Sequence, residues 1–146
     1  MFKRLITLFI NLFLLSSFAY AEENYTLSGE VTFQYDEDIY ICLLTKEGFR
    51  EFHVKNHELS QPQYKVIKIN ADLKKAGRVS FKLDNIPRGT YCIITYQDVN
   101  NNGRVDQTNN ISEPWGSYKE TEGAVARWDE VKFDLKEDIT GIKINM

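Results

Sequence analysis

Thr90-Tyr91-Cys92-Ile93-Ile94-Thr95-Tyr96-Gln97, followed by Asp98-Val99-Asn100-Asn101-Asn102-Gly103-Arg104-Val105-Asp106, is the stretch on which the reading turns. Its first half is β-branched and aromatic and lacks the three-and-four spacing of an amphipathic helix, so it reads as a strand with both faces covered. Its second half is polar and carries a side-chain oxygen at almost every other position. A rigid apolar element therefore runs straight into a loop built for something other than packing.

Working towards the N-terminus, Asp84-Asn85-Ile86-Pro87-Arg88-Gly89 places Pro and Gly where a turn wants them. Val79, Phe81 and Leu83 alternate with Ser80 and Lys82, which predicts another strand. Asn70 to Gly77 reads as a loop or a single helical turn, and Tyr64 to Ile69 as a strand. Phe49 to Pro62 is polar and mixed, and is expected to be irregular. Ile39 to Thr45 is apolar on both faces, as a central strand should be. Tyr25, Leu27, Val31, Phe33 and Tyr35 alternate with polar residues and give a first strand with one wet face. Asp36-Glu37-Asp38 turns between those two strands.

Towards the C-terminus the pattern disappears over residues 98–127 and returns as Val131 to Leu135 and Ile142 to Met146. The expectation is an all-β fold, an antiparallel seven-stranded β-sandwich of transthyretin-like or immunoglobulin-like type. A thirty-residue aperiodic loop is uncommon in so small a domain, and such loops are functional or held by something bound.

Residues 1–21 read as a secretory signal peptide. Lys3 and Arg4 precede an apolar run from Leu5 to Phe18, and Ala19-Tyr20-Ala21 is a small-x-small cleavage site. The run is short of the ~20 residues a spanning helix needs. Residues 22–146 are then a single periplasmic or secreted domain, with no membrane span after cleavage. The net charge is −3, and loss of Lys3 and Arg4 takes it to −5, which disfavours nucleic acid as a partner. An oxidising compartment also leads to the expectation that Cys42 and Cys92 form a disulfide.

In the loop, Asp98, Asn100, Asn102 and Asp106 stand at relative positions 1, 3, 5 and 9, with Gly103 at 6. That is the layout of an EF-hand-type calcium loop, in which alternate residues point oxygens inward and Gly permits the sharp turn. Arg104 would contribute its main-chain carbonyl. Position 12 is Asn109 where the EF-hand has a bidentate Glu, and Glu113 is the nearest acid able to serve as a late ligand. So few charges predict weak binding, on the order of 10⁻⁴–10⁻³ M.

Ile86-Pro87-Arg88-Gly89-Thr90-Tyr91, then the Asp98 to Asp106 motif, then Glu113-Pro114-Trp115-Gly116, resembles the uncharacterised bacterial family catalogued as domain of unknown function 2141. The resemblance implies a transthyretin-type sandwich, often exported, and carries no established activity. The chain departs from the family pattern after Asp106, where Asn110-Ile111-Ser112 replaces a glycine-isoleucine-proline.

His53 and His57 are four apart but lack the surrounding pattern of a zinc protease. No serine sits in a glycine elbow. Trp115, Tyr118 and Trp128 lie in or beside the long loop, and Trp115 and Tyr118 are the candidate partner contacts. The expected function is a non-enzymatic module of the cell envelope, structural or binding an envelope protein or a glycan, with calcium ordering its longest loop. The alternatives are a carbohydrate-binding module and a small metal-dependent hydrolase, the latter requiring an open coordination position.

Overall fold

Alternation becomes architecture in two sheets. The structure is a computed structural model and describes residues 23–55, 64–102, 105, 113–123 and 125–146. The expected signal peptide therefore lies outside the described residues. In chain order the elements are β1 (Asn24–Thr32), β2 (Ile39–Leu44), α1 (Lys46–Lys55), β3 (Tyr64–Ile67), α2 (Ala71–Ala76) and β4 (Arg78–Pro87). They continue with β5 (Gly89–Gln97), β6 (Trp115–Ser117), α3 (Trp128–Val131), β7 (Phe133–Leu135) and β8 (Ile139–Asn145). One sheet has the order β4-β1-β8, and the other β3-β2-β5-β6 with β7 joined to the first residues of β5.

The main core lies between the sheets. Leu27 and Val31 from β1, Phe81 and Leu83 from β4 and Ile142 and Ile144 from β8 meet Ile39, Ile41 and Ile93 from the other sheet. Each fully buried aliphatic side chain contributes roughly 1.5–3 kcal/mol. A second cluster covers the outer face of the five-stranded sheet. There Cys42, Leu44, Cys92, Ile94 and Tyr96 are roofed by Phe49 of α1, Ala126 and Val131. This roof is the reason Ile39–Leu44 and Thr90–Gln97 are apolar on both faces.

The all-β expectation holds for the two sheets, with corrections to detail. Eight strands are formed among the described residues, the additional one being β6. The fold is not wholly antiparallel, because β1 and β8 run parallel. The chain leaves β7 in one sheet and crosses at residues 136–138 to enter β8 in the other. Asp138 fixes that entry by accepting the Thr26 N–H at 2.8 Å.

The segment expected to be irregular opens as α1. Thr45 caps it, its hydroxyl accepting the Gly48 N–H at 3.2 Å and its carbonyl the Phe49 N–H at 2.8 Å. Phe49 and Phe52, three apart, both turn towards the sheet. The stretch from Asn70 to Gly77, expected to be a loop or a single helical turn, is α2, with Asn70 accepting from the Leu73 N–H at its start and Gly77 at φ 63° closing it.

The expected Cys42–Cys92 disulfide is corrected: both are buried free thiols. Cys42 lies opposite Ile94 and Cys92 opposite Leu44, so the two are diagonal neighbours on adjacent strands. Diagonal neighbours sit roughly 7–8 Å apart, beyond the ~4.4–6.8 Å Cα separation of ordinary disulfides. Burial pushes the Cys92 thiol up to about 12, and burial with the nearby Cys92 pushes Cys42 up as well.

Candidate metal loop

β5 stops at Gln97, whose hydrogen bonds hold the end of the strand in place. It is fully buried. Its side-chain amide donates to the carbonyls of Tyr35 (3.0 Å) and Glu37 (2.8 Å), and its side-chain oxygen accepts the Tyr35 N–H at 3.3 Å. The β1–β2 turn is thereby laced to the end of β5. The Gln97 N–H donates to the Pro114 carbonyl at 3.1 Å, continuing the register in which Tyr96 faces Trp115.

That register sets Glu113 opposite Asp98. Both carboxylates are almost wholly inside, Asp98 at 2% and Glu113 at 1% exposure. Glu113 Oε1 accepts the Val99 N–H at 2.8 Å. Asp98 Oδ1 accepts the Asn102 N–H at 3.0 Å, and Asn100 Oδ1 accepts the same N–H at 3.1 Å. The Asn101 N–H donates to the Asp98 carbonyl at 3.4 Å, and Asn101 itself adopts φ 55°. The chain therefore curls immediately after Asp98, with Asx-type hydrogen bonds closing the turn.

The charge of this pair is felt on the sheet. The Tyr40 and Tyr96 rings stack at 4.8 Å and 11°. Burial raises the Tyr96 phenol first, followed by Cys42 and Tyr40 and then by the charges of Asp98 and Glu113. Tyr40 is raised by burial and then by Asp98.

Of the six residues expected to ligate, Asp98 and Glu113 are brought together as buried carboxylates. Asn100 and Asn102 lie exposed on the same curl. Arg104 and Asp106, with Gly103, lie outside the described residues. Among the described residues, no group of three or more His, Cys, Asp and Glu gathers as a metal would require. Sequence reading missed Gln97, whose only signal is a polar residue at the end of an apolar run.

Trp115 and Tyr118, the expected partner contacts, are half-buried. Trp115 packs against the outer cluster, and Tyr118 meets Phe133 edge-on at 5.3 Å with Lys119 over its ring at 4.8 Å. His57 and the side chain of His53 lie outside the described residues. Among the described residues, no helix is long and apolar enough to cross a membrane.

A family model described as "Uncharacterized protein conserved in bacteria (DUF2141)" matches residues 38–143. No curated protein and no solved structure matches the chain.

Proposed function

The chain belongs to the bacterial family DUF2141, and from that premise we propose that it is an exported, non-enzymatic module whose longest loop is ordered by calcium. The two sheets are read as a transthyretin-type sandwich. Residues 1–21 direct export, and cleavage after Ala21 leaves residues 22–146 in the periplasm or beyond. The ligand set is Asp98, Asn100, Asn102, the Arg104 carbonyl, Asp106 and Glu113. Calcium suits mixed carboxylate, amide and carbonyl oxygens on a loop better than magnesium, which demands a tighter octahedron.

The observation that supports this reading is the burial of Asp98 and Glu113, each one residue beyond the Gln97–Pro114 hydrogen bond that closes the β5–β6 pairing. Buried carboxylates are costly unless paired, hydrogen-bonded or bound to metal. Each here accepts a backbone N–H, and a cation between them would neutralise their mutual repulsion. The ion's role is structural: the neutralised loop packs and presents the Trp115–Tyr118 region to an envelope protein or glycan.

The test is thermal unfolding followed by circular dichroism in calcium, magnesium or chelator. Calcium at millimolar concentration should raise the Tm and magnesium should raise it less. Asp98→Asn should remove the calcium increment while the β-sheet spectrum persists. An unchanged Tm in calcium would refute the reading.

A further inference from the structure

The edge of a sheet presents backbone groups that lack a strand partner and can pair with another chain. Most edges of this fold are short or covered. β3, β6 and β7 are four, three and three residues long, and Gly116 of β6 lies against Asn145 at the end of β8. β4 is different: it is ten residues long, ends the three-stranded sheet and, among the described residues, pairs with β1 alone.

The usable part of that edge has clear limits. At its start, Gly77 turns at φ 63° and its carbonyl accepts the Phe33 N–H at 3.0 Å. α2 lies beyond that point, where Lys74 pairs with Asp36. At the other end Asn85, at φ 59°, marks a bulge, where the register slips between Leu27–Leu83 and Tyr25–Ile86. From Arg78 to Leu83 the register with β1 is unbroken.

Hydrogen bonding alternates along an antiparallel pair. The Phe33–Gly77 bond puts Val79, Phe81 and Leu83 in step with Gly77, so their N–H and carbonyl groups face β1. Those of Arg78, Ser80 and Lys82 face outward. From that outer side the exposed Lys65 Nζ donates to the Lys82 carbonyl at 3.5 Å, a long hydrogen bond. The side chains of Arg78, Ser80, Lys82 and Asp84 are all exposed, in alternation with the buried Val79, Phe81 and Leu83.

A second copy of the same edge supplies a matching strand. Outward groups must meet outward groups, which restricts a two-fold axis along this stretch to Ser80, Phe81 or Lys82. An axis at Ser80 sets Arg78 opposite Lys82, and an axis at Lys82 sets that lysine opposite itself. Both place like charges directly opposite, which is destabilising. An axis at Phe81 sets Arg78 opposite Asp84 twice and Ser80 opposite Lys82 twice. The partners these charges have within one chain, Glu30 for Arg78 at 3.8 Å and Lys82 for Asp84 at 2.7 Å, are exposed pairs that hold their geometry weakly.

We propose that two copies of this chain pair antiparallel along β4 about a two-fold axis at Phe81, joining their three-stranded sheets into one continuous sheet. The interface is isologous, each Arg78 meeting the partner's Asp84. It uses no residue of the calcium loop.

Sedimentation velocity of the purified protein, from micromolar to millimolar concentration, tests it. An interface of one strand pair is small, so a reversible monomer–dimer equilibrium is expected towards the upper end of that range. Ser80→Pro removes an outward N–H and spares the pairing with β1, a place where a strand tolerates proline. It should keep its β-sheet spectrum and remain monomeric. Arg78→Glu and Asp84→Lys each set like charges opposite across the axis, and each should weaken self-association roughly tenfold or more. In a mixed dimer of these two variants both pairs again join opposite charges, so their equimolar mixture should dimerise as the wild type does. If Ser80→Pro fails to fold, the mixture decides. A wild type that stays monomeric throughout overturns the proposal, whether the edge then remains bare or takes a strand from another protein. So does a dimer that persists in folded Ser80→Pro, or a mixture that associates no better than either variant alone.

Discussion

The two ends of β5 solve the same topological problem with opposite materials. At the Gly89 end, β4 and β5 are joined by Arg88 alone, and the junction is closed by a fully buried Ile86, by Asn85 at φ 59° and by the Arg88 N–H donating to Glu23 at 3.1 Å. At the Asp98 end, β5 stops at Gln97 and β6 begins at Trp115, and the residues next to those ends include two buried carboxylates, Asp98 and Glu113. An end closed by apolar packing and backbone hydrogen bonds supplies its own stability. An end that buries like charges depends on what neutralises them. Perturbation should therefore separate the two, with calcium acting at one end only.

The largest effect belongs to the apolar end. Ile86→Ala removes a side chain of 0% exposure from the main core and should cost about 2–5 kcal/mol in urea unfolding. The cost should be the same with and without calcium, and a calcium-dependent cost would erase the distinction. The polar end can be broken without touching a ligand. A Cβ at Gly116 would meet the Asn145 carbonyl oxygen at 2.4 Å and Ile144 Cγ2 at 2.9 Å. Gly116→Ala should push β6 away from β8 and cost about 1–3 kcal/mol. By shifting β6 it should also carry Glu113 out of register and blunt the calcium response. A retained response would mean that Glu113 does not depend on β6.

Glu113→Gln keeps the shape and removes one charge. At calcium tenfold above Kd the wild type should gain about 1.4 kcal/mol by mass action, and the variant should lose most of that gain. Full retention would confine the site to Asp98 through Asp106.

The smallest effect concerns the middle of β5. Below the ordinary thiol pKa of about 8.5, Cys92 is protonated folded and unfolded alike, and its contribution to stability is fully present. With the folded pKa pushed up to about 12, that contribution falls as pH rises from 8.5 towards 12, by under about 1 kcal/mol at pH 9. Both thiols should resist a thiol reagent in the native state and react in denaturant. A single unreactive pair in denaturant would restore the disulfide.

The same contrast explains what could be read from the chain. Val79-Phe81-Leu83 and the Leu27-Val31 face announced their strands because alternation is the signature of a half-buried sheet. Direction leaves no such mark, so the parallel pairing of β8 with β1 was not legible. β6 has three residues, Trp-Gly-Ser, and is a strand only because β5 offers it an edge. α1 hid behind a polar composition, its two inward Phe residues spanning less than a turn. The apolar outer faces of β2 and β5 concealed the cysteine register, since parity could not say which side was core.

In the candidate loop, the curl that carries Asp98, Asn100 and Asn102 was legible from their spacing. The place of Glu113 was not, because it is fixed by the Gln97–Pro114 hydrogen bond rather than by distance along the chain.

The most direct test of a calcium-ordered end is isothermal calorimetry of the purified protein with calcium chloride, beside the Asp98→Asn variant. A calcium-ordered end gives a single saturable binding event with Kd on the order of 10⁻⁴–10⁻³ M, absent from the variant. No heat from the wild type at several times that concentration, or equal heat from the variant, would contradict it.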